Sequence, residues 1–68
     1  MNKLDELRDR LEECVKRTPM TVVQIYKQIG IGKNTYYEFL KGQNITRINI
    51  LKIEQWVKQR EREILQEN

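Results

Sequence analysis

Apolar residues in this chain recur at three- and four-residue steps in four separate runs, which is the period of helices with one buried face. Leu4, Leu7, Leu11 and then Cys14 with Val15 predict a first helix from Lys3 to Arg17. It must stop in the stretch RTPMT, because Pro19 restrains Thr18 and cannot extend a helix. A second helix is expected from Thr21. There Thr21 and Gln24 form a capping box, and Met20 and Ile25 stand where a hydrophobic staple sits. Ile25 and Ile29 line its inner face, and Gly30 ends it, since glycine takes the left-handed conformation cheaply. After Ile31 and Gly32, a third helix is expected from Lys33 to Lys41, closed by Gly42. The fourth follows QNIT, with Thr46 as cap and Ile45 and Ile50 as a second staple. It should run from about residue 47 to about 66, bury Ile50, Ile53 and Val57, continue through Ile64 and Leu65, and hold Trp56 at the edge of the core.

The pattern predicts an all-α protein, a single small domain over 1–68 with four or five helices. The third helix, within GIGKNTYYEFLKG, poses a specific question, because Tyr36 and Tyr37 are adjacent. Neighbours on a helix point about 100° apart, so both cannot face inward. Tyr36 belongs with Phe39 and Leu40 on the inner face. Tyr37 falls on the outer face with Lys33, Asn34, Glu38 and Lys41.

Charge sharpens that picture. Residues 1–15 and residues 61–68 each carry a net −2, whereas residues 16–60 carry +7, within an overall +3. Positive charge around the tyrosine pair suits a polyanionic partner, and equally a solvated face. The acidic residues of the first helix, Asp5, Glu6, Asp9, Glu12 and Glu13, alternate with Lys3, Arg8 and Arg10, a pattern of surface ion pairs rather than a metal cluster.

Several chemistries are disfavoured. There is no histidine, which removes imidazole catalysis and the common zinc sites. GIGKNT lacks the spacing of a phosphate-binding GxxxxGK[ST] loop and follows no strand. Cys14 is the one cysteine, so no internal disulfide can form, and its place on the first helix's apolar face suits a small buried residue. No apolar run approaches the roughly 18 residues of a membrane span, and MNKLDELRDR lacks the apolar stretch of a signal peptide. The expectation is a cytoplasmic protein, not an enzyme, with no cofactor, no small-molecule ligand and no membrane partner.

Two short helices joined by a tight glycine-containing turn invite a family comparison. The stretch MTVVQIYKQIGIGKNTYYEFLKGQNITRINILKIEQWV, residues 20–57, resembles the Cro/repressor (XRE-like) helix-turn-helix family of phages and bacteria, lambda-repressor-like in fold. Ile25, Ile29, Gly30, Ile31, Tyr36 and Phe39 fall where that family keeps apolar and turn residues. Gly42 matches the end of its recognition helix, and Ile50, Ile53 and Val57 match its next helix. Four positions depart from the pattern. Tyr26 stands where the family prefers alanine, Val22 where many members carry a phosphate-gripping glutamine, Gly32 where serine usually caps, and Leu40 at a commonly polar site.

The resemblance implies a transcriptional regulator that binds double-stranded DNA, with the helix-turn-helix at about 21–41 and helix 33–41 in the major groove. The side chains fit that expectation on their own chemistry. Asn34 can pair adenine's N6 and N7, and Lys33 and Lys41 can hold guanine or phosphate. Thr35 can reach a phosphate or base. Tyr37 can stack on a sugar, touch a thymine methyl or donate to a phosphate. Glu38 can accept from a cytosine amine, although an ion pair with Lys41 or Lys33 is the favoured role. Helix starts near Thr21 and Thr46 offer free amides to phosphates, with Gln43, Asn44 and Arg47 beside the latter. A homodimer on an inverted repeat is expected, drawing on apolar surface that looks spare at Leu4, Leu7, Ile48, Leu51, Ile64 and Leu65; the alternative is that the terminal helices pack on each other within one chain. The competing function is a protein-interaction module that binds a repressor, polymerase or host factor on the same scaffold.

Overall fold

The computed structural model describes residues 2–66; Met1, Glu67 and Asn68, the ends of the expected 1–68 domain, lie outside the described residues. Four helices follow in order, α1 (Lys3–Lys16), α2 (Val22–Ile29), α3 (Lys33–Leu40) and α4 (Arg47–Gln66), with no strand among the described residues. The protein is an all-α domain with four helices, not five, among the described residues, and α4 runs unbroken to Gln66.

Local chemistry sets the ends. Asn2 caps α1, its side-chain oxygen accepting from the Leu4 N–H at 3.0 Å, with Asp5 and Glu6 in the first turn and Lys16 in the last, as the helix dipole favours. At the far end of α1 the buried Thr18 hydroxyl donates to the Cys14 carbonyl at 2.6 Å. The capping box at α2 forms in full. The Thr21 hydroxyl accepts from Gln24 N–H at 3.2 Å, and Gln24 Oε1 accepts from Thr21 N–H at 2.9 Å. Gly30 then turns the chain at φ 94° and donates its N–H to the Tyr26 carbonyl.

One apolar core joins all four helices. Leu7, Leu11 and Cys14 from α1 meet Ile25 and Ile29 from α2, Ile31 from the turn, Tyr36 and Phe39 from α3, and Ile53, Trp56 and Val57 from α4. Trp56 lies at the core edge as expected, and its indole N–H donates to Gln28 Oε1 at 2.7 Å. The helix α4 lies along both α1 and α2, and α3 packs on α2.

The core also corrects the expectation of spare apolar surface. Leu7 is buried and Leu4 and Ile64 pack against the core, because α1 and the second half of α4 lie side by side in one chain. Of the residues expected to be spare, Ile48, Leu51 and Leu65 remain exposed. Ile50 and Leu40, expected inside, are half-buried at the core's margin.

Arginines tie the helices together. Arg8 Nε donates to the Phe39 carbonyl at 2.6 Å, and its guanidinium lies over the Phe39 ring at 5.2 Å. Arg10 forms a two-pronged pair with Glu61 across α1 and α4, at 3.0 and 2.7 Å. That hydrogen bond raises Arg10 and holds Glu61 below the usual carboxylate range, in each case against a smaller opposing effect of burial. Arg60 from α4 donates to the Thr18 hydroxyl at 2.8 Å and to the Arg17 carbonyl at 3.1 Å, sealing the end of α1 with a cation.

Candidate nucleic-acid interface

The third helix is amphipathic: its inner face packs on the core and its outer face is exposed. Tyr36 and Phe39 are buried; Lys33, Asn34, Tyr37, Glu38 and Lys41 are exposed, and Thr35 is half-buried. Tyr36 is 2 % exposed and Tyr37 40 %, so the two adjacent tyrosines point to opposite environments. They still touch, edge to face, with ring centroids 5.4 Å apart, while Tyr26 of α2 lies 6.0 Å from Tyr36 on another side. The Tyr26 ring leans on Tyr36 and is half in solvent. Burial, more than the neighbouring Tyr37 and Glu12, pushes the Tyr36 phenol up and keeps it neutral.

The helix ends with its outer residues in reach of α4. Lys41 caps α3, Gly42 turns at φ 86°, and Gln43 returns its N–H to the Glu38 carbonyl at 2.9 Å. A shallow cleft of about 350 Å³ follows, lined by Thr35, Glu38, Asn44, Ile45, Thr46 and Asn49. This brings Thr35 and Glu38 of the outer face together with Asn44 and Thr46 of the loop. Gln43 and Arg47 are exposed outside the cleft, and Thr21 stands apart at the start of α2. Asn49 was absent from the sequence-derived set. Its signal was available, since it stands three residues after the Thr46 cap and its N–H donates to the Thr46 hydroxyl at 3.4 Å.

Glu38 pairs with neither Lys33 nor Lys41. Lys33 is five residues away and therefore on another side of the helix, and Lys41 sits at the cap where the chain turns off. The carboxylate stays among the polar groups of the cleft.

Helix starts supply further donors. The α2 capping box engages the N–H groups of Thr21 and Gln24, which leaves those of Val22 and Val23 without a partner. Gly32 caps α3 with no side-chain bond, so the amides of Lys33, Asn34 and Thr35 are open as well. At α4 the amides of Arg47 and Ile48 are open.

The basic middle of the chain is thinner than its composition suggests. Arg17 pairs with Glu13 and Lys58 with Glu54; Arg60 closes α1; and Lys52 donates to the Gly30 carbonyl at 3.2 Å, bracing the turn between α2 and α3. Lys16, Lys27, Lys33, Lys41 and Arg47 make no ion pair among the described residues. Three of these five flank α3 or begin α4.

No family model, curated protein or solved structure matches the chain. Among the described residues no helix is long and apolar enough to cross a membrane, and no cluster of three or more histidine, cysteine or acidic residues could hold a metal ion.

Proposed function

We propose that this chain is a cytoplasmic, sequence-specific regulator of transcription, of phage or bacterial type, that inserts α3 into the major groove of double-stranded DNA as a homodimer on an inverted repeat. The observation that carries the reading is the uncovered outer face of α3. It presents Lys33, Asn34, Tyr37, Glu38 and Lys41 on a helix whose other face is locked by Tyr36 and Phe39. A rigid polar helix face with unpaired lysines at both ends is what groove reading requires, because base contacts demand fixed geometry and phosphates demand free cations. In this reading Asn34 and Tyr37 meet base edges, and Thr35 and Glu38 meet bases or sugar at the cleft. Lys33, Lys41 and Arg47 hold phosphate, and Thr21, Gln43, Asn44 and Thr46 line the backbone beside them.

The test is a salt titration on random duplex DNA, followed by selection of a preferred sequence. Affinity should fall steeply with salt. Asn34→Ala should lose about 1–3 kcal/mol on the selected site and little on random DNA, whereas Lys41→Ala should weaken both and reduce the salt slope by about one. No binding at ~50 mM salt would sink the DNA reading.

One observation favours the protein-interaction reading. At the start of α2, where a phosphate-gripping polar side chain would serve DNA binding, Val22 and Val23 are 36 % and 47 % exposed. Loss of function in a Val23→Glu variant that still binds DNA would move the assignment to a protein partner.

A further inference from the structure

A second concavity lies away from α3. It is a groove of about 500 Å³ between the second half of α1 and the end of α4, floored by the buried Cys14 and by Ile64. Its walls are chiefly apolar, built from the stems of charged residues, and Leu65 stands at its edge, 74 % exposed. An apolar slot beside an uncovered leucine is a socket and a plug on the same surface.

We propose that a second copy of this chain occupies the groove. Two chains would pair about a two-fold axis beside Glu13, each placing Leu65 into the other's slot. The proposal rests on the homodimer of the preceding reading, though not on DNA as its target. Charge supports a copy over an unrelated partner. Asp9, Glu13 and Arg17 recur at four-residue steps along the groove's α1 wall. A two-fold axis at Glu13 sets α1 antiparallel to its copy, so residues about 6 Å to either side exchange places. Asp9 of each chain then faces Arg17 of the partner copy, twice over. Asp9 makes no ion pair among the described residues, and Arg17, whose side chain is 58 % exposed, has donor capacity beyond the Glu13 contact at 3.1 Å. The two Glu13 carboxylates that approach the axis are each neutralised by their own Arg17.

Ile48 and Leu51 form another exposed apolar pair, on the first half of α4, and Val22 and Val23 a third at the start of α2.

Sedimentation of the full chain without DNA, from micromolar concentration upward, tests the proposal. The wild type should associate to a dimer. Leu65→Glu and Asp9→Lys should each weaken association about tenfold or more, and Asp9→Lys combined with Arg17→Glu should restore it. Thermal melts of the same variants separate a lost interface from a lost fold, since all three positions are exposed. A wild type that stays monomeric overturns the proposal. So does a dimer indifferent to Leu65→Glu and Asp9→Lys but broken by Ile48→Glu. The two readings fail separately. Salt-dependent duplex binding by a monomeric wild type removes this interface and leaves the DNA reading standing. A groove-dependent dimer that ignores duplex DNA does the reverse.

Discussion

Truncating Tyr36 and Tyr37 one at a time tests the register of α3, on which every contact assignment depends. Tyr36 is 2 % exposed and wedged between Tyr26 and Tyr37. No buried side-chain nitrogen or oxygen lacks a partner among the described residues, and the Tyr36 hydroxyl makes no hydrogen bond to protein, so the ring is inside while the hydroxyl reaches the surface. Tyr36→Phe should therefore change little. Tyr36→Ala empties a core site and should cost about 3–5 kcal/mol. A domain of this length has roughly 3–10 kcal/mol in total, so the variant should be largely unfolded or melt far lower. Tyr37→Ala loses one edge-to-face ring contact, about 0.5–1.5 kcal/mol, plus part of a half-covered ring, which corresponds to a fall in Tm of roughly 4–10 °C. Urea denaturation followed by Trp56 fluorescence gives both values, because Trp56 is buried against the same core. If Tyr37→Ala proved as damaging as Tyr36→Ala, or the order reversed, α3 would be turned by one residue and the contact surface would be a different one.

Two further outcomes follow from the geometry. Glu61 is held below its ordinary range by Arg10, so the pair's contribution is present above the unfolded carboxylate value, about 4.3, and is lost as pH falls through the lower folded value. Melting curves of wild type and Glu61→Gln should accordingly differ near neutral pH and converge in acid; a gap that persists below pH ~2 would show that Glu61 stabilises by packing instead. Gly30 sits at φ 94° with only the Lys52 side chain near a would-be Cβ, at 3.8 Å, so Gly30→Ala should cost about 1–2 kcal/mol from backbone strain alone, and an unchanged denaturation midpoint would contradict the left-handed cap.

Most of the fold was legible from neighbouring residues. Helix starts at Thr21 and Thr46, the stop before Pro19, the turn at Gly30 and the opposite orientations of Tyr36 and Tyr37 all depend on interactions spanning at most four or five positions. A capping hydroxyl, a glycine at positive φ and an apolar step of three or four act within one helical turn, so the order of residues determines them. The surface of α3 was legible for the same reason, once its inner face was known.

The rest depended on which helix faces meet. Nothing local to Arg8 says that it will reach the Phe39 carbonyl 31 positions away; nothing local to Arg10, Lys52 or Arg60 says that each will be taken up by α4's packing against α1 and α2. Leu4, Leu7 and Ile64 are covered and Arg17 and Lys58 are paired, while Leu51 and Leu65 stay exposed, because a side chain's partner is decided by proximity in space. The groove beside Leu65 has the same origin. Its walls come from residues more than forty positions apart, and only the packing of α4 along α1 creates a concavity there.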